Sequence, residues 1–325
     1  MNLQRRRFLH AAANAAAFSI VSRNARAQDY PTRPVRIIIG FPAGGTTDIV
    51  ARLIGQWLSE RLGQQFIVEN RPGANTLLAV EAVARAPADG YTLGTVSISN
   101  VLNSILYPQH HFDTNRDLAM VAGLNNSPLV LEVHPSVPVN TVPELISHAK
   151  ANPHGISMAS FGTGSISHVA GELFKIAGGV DMLHVPYRGS APMLIDLLSG
   201  QVQTAFDNLP ASIEHIRAGK LRALAVTTAA RSQALAHIPS LSEFLPGYEV
   251  SAYLGLGAPR TTPAEIVFKL NEEVNAGLAD PKIKARLSEL GGAPFLFSPI
   301  EFSKFIGNET EKWAKVIRDA KIKSE

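Results

Sequence analysis

Three short loops in this chain carry the residue types that hold small anions. Phe41-Pro42-Ala43-Gly44-Gly45-Thr46-Thr47-Asp48 follows an apolar run at Val35 to Ile39 and opens an amphipathic stretch that reaches Leu62. Ser160-Phe161-Gly162-Thr163-Gly164-Ser165-Ile166-Ser167-His168 is a second loop of small and hydroxyl residues, and Tyr187-Arg188-Gly189-Ser190-Ala191-Pro192 is a third. A glycine-bearing turn from strand to helix aims free backbone N–H groups and the positive end of a helix dipole at one point, which suits a bound anion. Chemistry beyond binding is missing. No Lys-Ser/Thr pair follows Gly45, so the first loop is not a Walker-type phosphate loop, and the glycine spacing does not fit a dinucleotide fingerprint. A hydrolase elbow needs glycines two residues either side of its serine. Ser165 has Thr163 and Ser167 there, and Ser190 has Arg188 and Pro192. With no His-Glu-x-x-His pattern either, the residues describe capture rather than turnover.

The elements that must position these loops alternate almost to the end of the chain. After the first strand, Ile49, Val50, Leu53, Ile54, Trp57, Leu58 and Leu62 mark one helical face, closed by Gly63. Strand patterns follow at Gln65 to Glu69, Tyr91 to Ile98, Leu129 to Val133, Ile156 to Ser160, Met182 to Pro186, Val202 to Phe206 and Leu221 to Thr227. Helical faces fit Val142 to Ala151, with Thr141 as cap and Pro143 in the first turn, then Ile166 to Ala177, Pro192 to Leu198 and Leu209 to Ala218. From Thr262 onward the chain reads as two or three helices broken at Pro281 and Pro299. Such βα repetition implies parallel sheets covered by helices, with ligands outside the carboxyl ends of the strands, where all three loops sit.

Individual residues in the loops admit two readings. Gly44 and Gly45 serve either a tight turn or the cradle itself. Asp48 suits a dipole-favoured carboxylate at a helix start as well as a ligand contact. Ser190 is either a cap or a contact, and His168, beside Val169 and Leu173, is either a packed histidine or a ligand group. Asp207 ends a strand, where it could pair with a ligand amine, bridge water or cap the next helix.

The N-terminus carries an export pattern. Arg5-Arg6-Arg7-Phe8-Leu9 precedes a mildly apolar run, Ala11 to Val21, and Ala25-Arg26-Ala27 offers small residues at the two positions a signal peptidase reads. Arg-Arg-x-Phe-Leu resembles a twin-arginine signal, with Gln4 where that motif prefers Ser or Thr. The run is shorter than the roughly 20 apolar residues of a membrane span. Cleavage after Ala27 removes five arginines and no acid, which takes the net charge from +3 to −2. The basic balance therefore belongs to the signal, and nucleic-acid partners gain no support. Zero cysteines remove disulfides, thiolate catalysis and cysteine metal sites together, so an exported chain of this kind must stand on its core. Close to half apolar content over this length supplies one, and the length favours two lobes.

Longer motifs carry a family resemblance. Pro34 to Ile39, Phe41 to Asp48, Glu69-Asn70-Arg71-Pro72-Gly73-Ala74, Asp89-Gly90-Tyr91-Thr92-Leu93, His168 to Phe174, His184 to Ser190 and Ile216 to Thr227 resemble, in order, the substrate-binding proteins of tripartite tricarboxylate transporters. These are also called Bug-type extracytoplasmic solute receptors. The resemblance implies an α/β, type II-like periplasmic binding protein of the Venus-flytrap kind. Each lobe would be a mainly parallel sheet flanked by helices, with the chain crossing twice: residues 28–126 and 251–325 in lobe one, 127–250 in lobe two. It implies a monomer in the periplasm without metal or cofactor. It also implies a small organic carboxylate held by backbone N–H groups, hydroxyls and water, and a partnership with transporter membrane components or a sensor protein. The expected ligand-binding set is Phe41 to Asp48, Ser97, Ser160 to Ser165, His168, Tyr187, Ser190, Ala191 and Asp207. Three positions depart from the family's habit: Ala159, Phe161 and Asn75 stand where relatives tend to have glycine, serine and glycine. Phe161 removes a hydroxyl and adds an aromatic face, which suits an aromatic or longer apolar carboxylate if the ring points inward.

Overall fold

The computed structural model describes residues 30–110, 112–320 and 322, and the expected export signal lies outside them. Val35–Ile39 (β1) is β-branched at four of its five positions and pairs in parallel with Phe66–Asn70 (β2) and Thr92–Ser97 (β3). Leu118–Val133 (β4) is a 16-residue strand that serves both lobes. In the second lobe Ser157–Ser160 (β5) pairs in parallel with Leu183–Pro186 (β6) and with Thr204–Asn208 (β7). Arg222–Val226 (β8) and Ser251–Pro259 (β9) run antiparallel to β4, as does the short Ala293–Pro294 (β10). The path of pairing runs β2-β1-β3-β9-β4-β7-β5-β6, so parallel ladders flank a centre made antiparallel by the two crossing strands. β4 changes partner between Pro128, which faces Ser251 of β9, and Leu129, which faces Asn208 of β7.

Helices follow the strands as their punctuation directs. Thr46–Leu62 (α1) ends at Gly63, whose left-handed φ of 68° lets its N–H reach the Ser59 carbonyl. Leu77–Ala84 (α2) and Ile98–Leu106 (α3) complete the first half of lobe one. Val142–Ala151 (α4) starts as the sequence suggests: Thr141 Oγ1 accepts the Glu144 N–H, and Pro143 occupies the first turn. Ile166–Gly178 (α5), Ser190–Leu198 (α6) and Leu209–Arg217 (α7) cover the second sheet. The tail forms Ala264–Ala279 (α8), Pro281–Glu289 (α9) and Pro299–Asp319 (α10), with both prolines at helix starts. Trp313 and Phe302 of α10 and Phe174 and Phe206 of the second lobe are fully buried in one apolar cluster. Burial of these rings with the many aliphatic side chains around them is the main favourable contribution to stability in a chain without disulfides.

Candidate functional site

Five helices begin around one point between the lobes. α1 starts after Gly45, α3 after Ser97, α5 after Ser165, α6 after Gly189 and α7 after Asn208. Their first residues or caps line two adjoining cavities of about 30 and 20 Å³, which share Phe41, Thr46, Thr47, Phe161 and Asn208. Ser97, Ser99, Asn125, Ser127, Ser190 and Tyr253 complete the polar wall, and no charged side chain lines either cavity. Each dipole favours negative charge by roughly 0.3–1 kcal/mol, more where water is excluded. Four residues of this wall each carry a side-chain atom buried without a hydrogen-bond partner: Thr46 Oγ1, Asn125 Oδ1, Asn208 Oδ1 and Tyr253 OH. A buried polar atom left unpaired costs about 1–3 kcal/mol. Four such atoms around one small space identify where a polar ligand group or ordered water would complete them.

Outside this chamber lies a cleft of about 630 Å³. Gly40, Pro72 to Asn75, Leu77, Asn103 and Tyr107 line it from lobe one, and Gly162, Thr163 and Pro186 to Arg188 from lobe two. Phe41 and Phe161 belong to the walls of both spaces and meet edge to face across the lobes, with centroids 5.9 Å apart and planes at 87°. The Phe161 ring is thus turned inward and buried, 4% exposed. Arg188 is the one charged side chain among the cleft's lining residues.

The loops are held from behind by some of the residues expected to touch ligand. Asp48 accepts hydrogen bonds from the Gly44 N–H, Arg52 Nε and Asn70 Nδ2 at 3.0 to 3.1 Å and lines neither the chamber nor the cleft. Burial alone would raise its pKa, but the bonds from Arg52, Gly44 and Asn70 outweigh this and hold it below the ordinary range. In the second loop His168 Nδ1 accepts the Gly164 N–H at 3.1 Å, Ser165 Oγ accepts the His168 N–H, and Ser160 Oγ accepts the Gly162 N–H. Burial first, then His184 stacked 4.1 Å away and Lys175, push the His168 pKa down to about 3. It is therefore a neutral acceptor that fixes a turn. Asp207 lies beneath the chamber, with its carboxylate taken by Ser190 Oγ, Ser212 Oγ and the Asn208 N–H. Asp48, Ser160, Ser165, His168 and Asp207 thus support the site and do not line it.

Other residues of the expected set lie on the walls of these two spaces or in the seam between the loops. Phe41, Gly45, Thr46, Thr47, Ser97 and Ser190 line the chamber, while Phe161, Gly162, Thr163 and Tyr187 line the cleft. Burial and the bond from its hydroxyl to Asp196 raise the Tyr187 pKa to about 12. Pro42, Gly44 and Ala191 form the seam between loops. A Cβ on Gly189 (φ +130°) would stand 2.5 Å from Pro42 Cδ, and one on Gly44 would stand 3.6 Å from Ala191 Cβ. Ala43 is exposed beside them. Gly164 packs instead toward Leu106 and Tyr107.

Several lining residues escape a reading of loops alone. Ala74, Asn75 and Thr76 all have positive φ (45°, 45° and 80°), a run rarely tolerated outside functional sites, least of all by β-branched threonine. Asn75 Nδ2 donates to Asn103 Oδ1 while Asn103 Nδ2 donates back to the Asn75 carbonyl, which fixes the amide's orientation and leaves Asn75 Oδ1 buried and unpaired. Asn125 lies inside an apolar strand, and polar residues there were the available signal. Tyr253 gave none.

Comparison with known proteins bears on the family and the fold. Residues 50–322 match the family model described as tripartite tricarboxylate transporter family receptor. Protein BugT of Bordetella pertussis is 35% identical over 91% of this chain and 93% of its own. The structure of R. palustris Rpa4515 with adipate is 41% identical, covers 90% of this chain and 98% of that one, and superposes with a TM-score of 0.87. The periplasmic binding protein BugD is 32% identical over 91% of this chain and all of its own, with a TM-score of 0.88. The two-lobe α/β fold is that of these solute-binding proteins, and the chain belongs to the tripartite tricarboxylate transporter family of receptors.

Proposed function

We propose that this chain captures a small organic carboxylate in the periplasm and delivers it to the membrane components of a tripartite tricarboxylate-type transporter. The observation that carries this is the chamber: five helix starts and two unpaired hydroxyls, of Thr46 and Tyr253, belong to a wall without charged side chains, while the unpaired amide oxygens of Asn125 and Asn208 suit ordered water beside the carboxylate. A carboxylate accepting a few charge-assisted hydrogen bonds of roughly 1.5–3 kcal/mol each reaches about micromolar affinity, near −8 kcal/mol, after ordering costs. That is what a receptor that must also release needs. The loop chemistry, without a serine elbow or metal motif, supports binding rather than catalysis.

Lobe one would comprise residues 28–126 and 251–325 and lobe two 127–250, close to the partner change at Pro128 and Leu129. The mature chain would begin after Ala27 and act as a monomer without cofactor. Presentation of the same closed lobes to a membrane sensor is the alternative destination.

Phe41 and Phe161 favour a ligand with an apolar body between chamber and cleft, and Arg188 gives the far end of a dicarboxylate a second anchor. The adipate carried by Rpa4515 has that shape. A melting-temperature panel of aliphatic and aromatic mono- and dicarboxylates tests the proposal. Stabilisation by adipate or an aromatic acid supports it, a response confined to short diacids refutes the apolar body, and silence across the panel refutes carboxylate capture.

A further inference from the structure

Beneath Ser190 two acids, Glu132 of β4 and Asp207 of β7, are both fully buried, and among the described residues no cation is bonded to either. Ser212 Oγ of α7 stands between them, 2.8 Å from Glu132 Oε1 and 3.1 Å from Asp207 Oδ2. A hydroxyl has one proton, so it can donate to only one of these oxygens. The second contact is a hydrogen bond only if an acid proton supplies it. Asp207 already gathers donors, from Ser190 Oγ at 2.5 Å, from Ser212 and from the Asn208 N–H, whereas Glu132 Oε2 has none. An unpaired buried carbonyl oxygen is far cheaper than an unpaired carboxylate oxygen. The count therefore puts the proton on Glu132 Oε1, donating to Ser212, which donates to an ionised Asp207.

The charged residues around the pair are otherwise engaged. On α5, Glu172 pairs with Lys175, and His168 accepts from Gly164. Asp196 of α6 accepts from Tyr187, and Glu214 and Arg217 of α7 pair with each other, with His215 beside them near the helix end. Arg222 of β8 donates to the carbonyls of Val137 and Val139. Burial and the neighbouring acid raise the Glu132 pKa well above the ordinary range, and burial pushes that of Asp207 up to about 6.

Ser190 connects this pair to the chamber. Its hydroxyl proton is committed to Asp207, so toward the chamber the oxygen offers lone pairs, the wrong polarity for a carboxylate. Protonating Asp207 reverses the bond: Asp207 donates to Ser190 Oγ, whose own proton turns into the chamber. The added proton also removes the nearest negative charge from an incoming anion. We infer that Glu132, Ser212, Asp207 and Ser190 form a buried proton site linked to the chamber, so that a carboxylate is captured together with a proton.

This linkage rests on the carboxylate reading above, and calorimetry separates the two. Binding is measured at pH 7.5 in buffers of different ionisation enthalpy, with whichever of adipate, malate or benzoate most raises the melting temperature. The expected result is net uptake of up to one proton per ligand, with Kd rising by up to tenfold per pH unit above Asp207's pKa and levelling below about pH 6. Asp207→Asn should bind without proton uptake or pH dependence. Glu132→Gln, whose amide can still donate to Ser212, should retain both. Binding by the wild type with no proton exchange overturns the linkage alone. No response to any of the three acids removes the carboxylate reading and the linkage with it.

Discussion

Tyr253→Phe should leave the free protein as stable as before and yet cripple capture. The Tyr253 hydroxyl is buried without a hydrogen-bond partner and the residue belongs to the chamber wall, so the unliganded fold loses no hydrogen bond when it is removed. Relief of an unpaired buried hydroxyl is neutral to about 1 kcal/mol stabilising. In the bound form a donor to a carboxylate is lost, about 1.5–3 kcal/mol, which raises Kd roughly 10- to 150-fold. The thermal signature follows. At a ligand concentration 100 times the wild-type Kd, the wild type gains about 2.7 kcal/mol, some 5 °C at roughly 2 °C per kcal/mol for a chain this long. A variant weakened about 50-fold gains near 0.6 kcal/mol, or roughly 1 °C, at the same concentration. Scanning fluorimetry with and without adipate, checked by titration calorimetry, reads both effects. Unchanged affinity, or a free protein melting more than about 4 °C lower, would refute the reasoning.

Thr46→Ala removes the other unpaired hydroxyl among the chamber's lining residues and should weaken capture by about tenfold at little cost to melting; equal affinity in calorimetry counts against it. Ser165→Ala should do the reverse, lowering stability by about 1 kcal/mol through loss of the α5 cap while affinity moves little. For Asp48→Asn, stability at pH 7 should fall by about 1.5–3 kcal/mol as the Gly44 and Arg52 bonds weaken. Because the Asp48 pKa is depressed in the fold, its contribution is complete above its unfolded value near pH 4 and is lost as pH falls through the folded value. Acid melting curves should thus show the variant losing less below about pH 4 than the wild type, and parallel curves would contradict that. Gly189→Ala should weaken binding by forcing the Pro42 seam apart; undiminished affinity would show that the seam is not needed.

The sequence made the loops legible because their chemistry is local. Glycine turns, Thr141 and Pro143, and the prolines opening α9 and α10 act on their own neighbours, and the structure places them as read. The crossing strands were less visible. The sequence shows only Leu129 to Val133 of β4, since Gly123, Asn125, Asn126 and Pro128 interrupt its earlier half, and β9 carries Gly255 and Gly257. Those glycines answer to distant partners: a Cβ on Gly255 would stand 2.3 Å from the Phe302 ring and 2.6 Å from the Ala122 carbonyl. Likewise α2 follows a left-handed turn at Ala74 to Thr76, of which Asn75, standing where relatives tend to have glycine, is the one local sign. The chamber suffered in the same way. Thr46 and Ser190 sit on readable loops, but Asn125 and Tyr253 reach the site only because the register of β4 on β9 sets Asn125 beside Leu254 and Asn126 beside Tyr253. His168 and Ser165, polar residues in a promising loop, were needed to hold that loop's backbone and so face away from the space it encloses.

The central claim is that the chamber recognises a carboxylate's negative charge through helix starts and polar donors. Calorimetric titration with adipate and with its diamide, nearly the same shape without the charge, tests it most directly. The account expects adipate to bind at roughly micromolar Kd and the diamide at least about 100-fold more weakly, two charge-assisted bonds having become neutral ones. Equal binding of the two, or preference for the diamide, would contradict it.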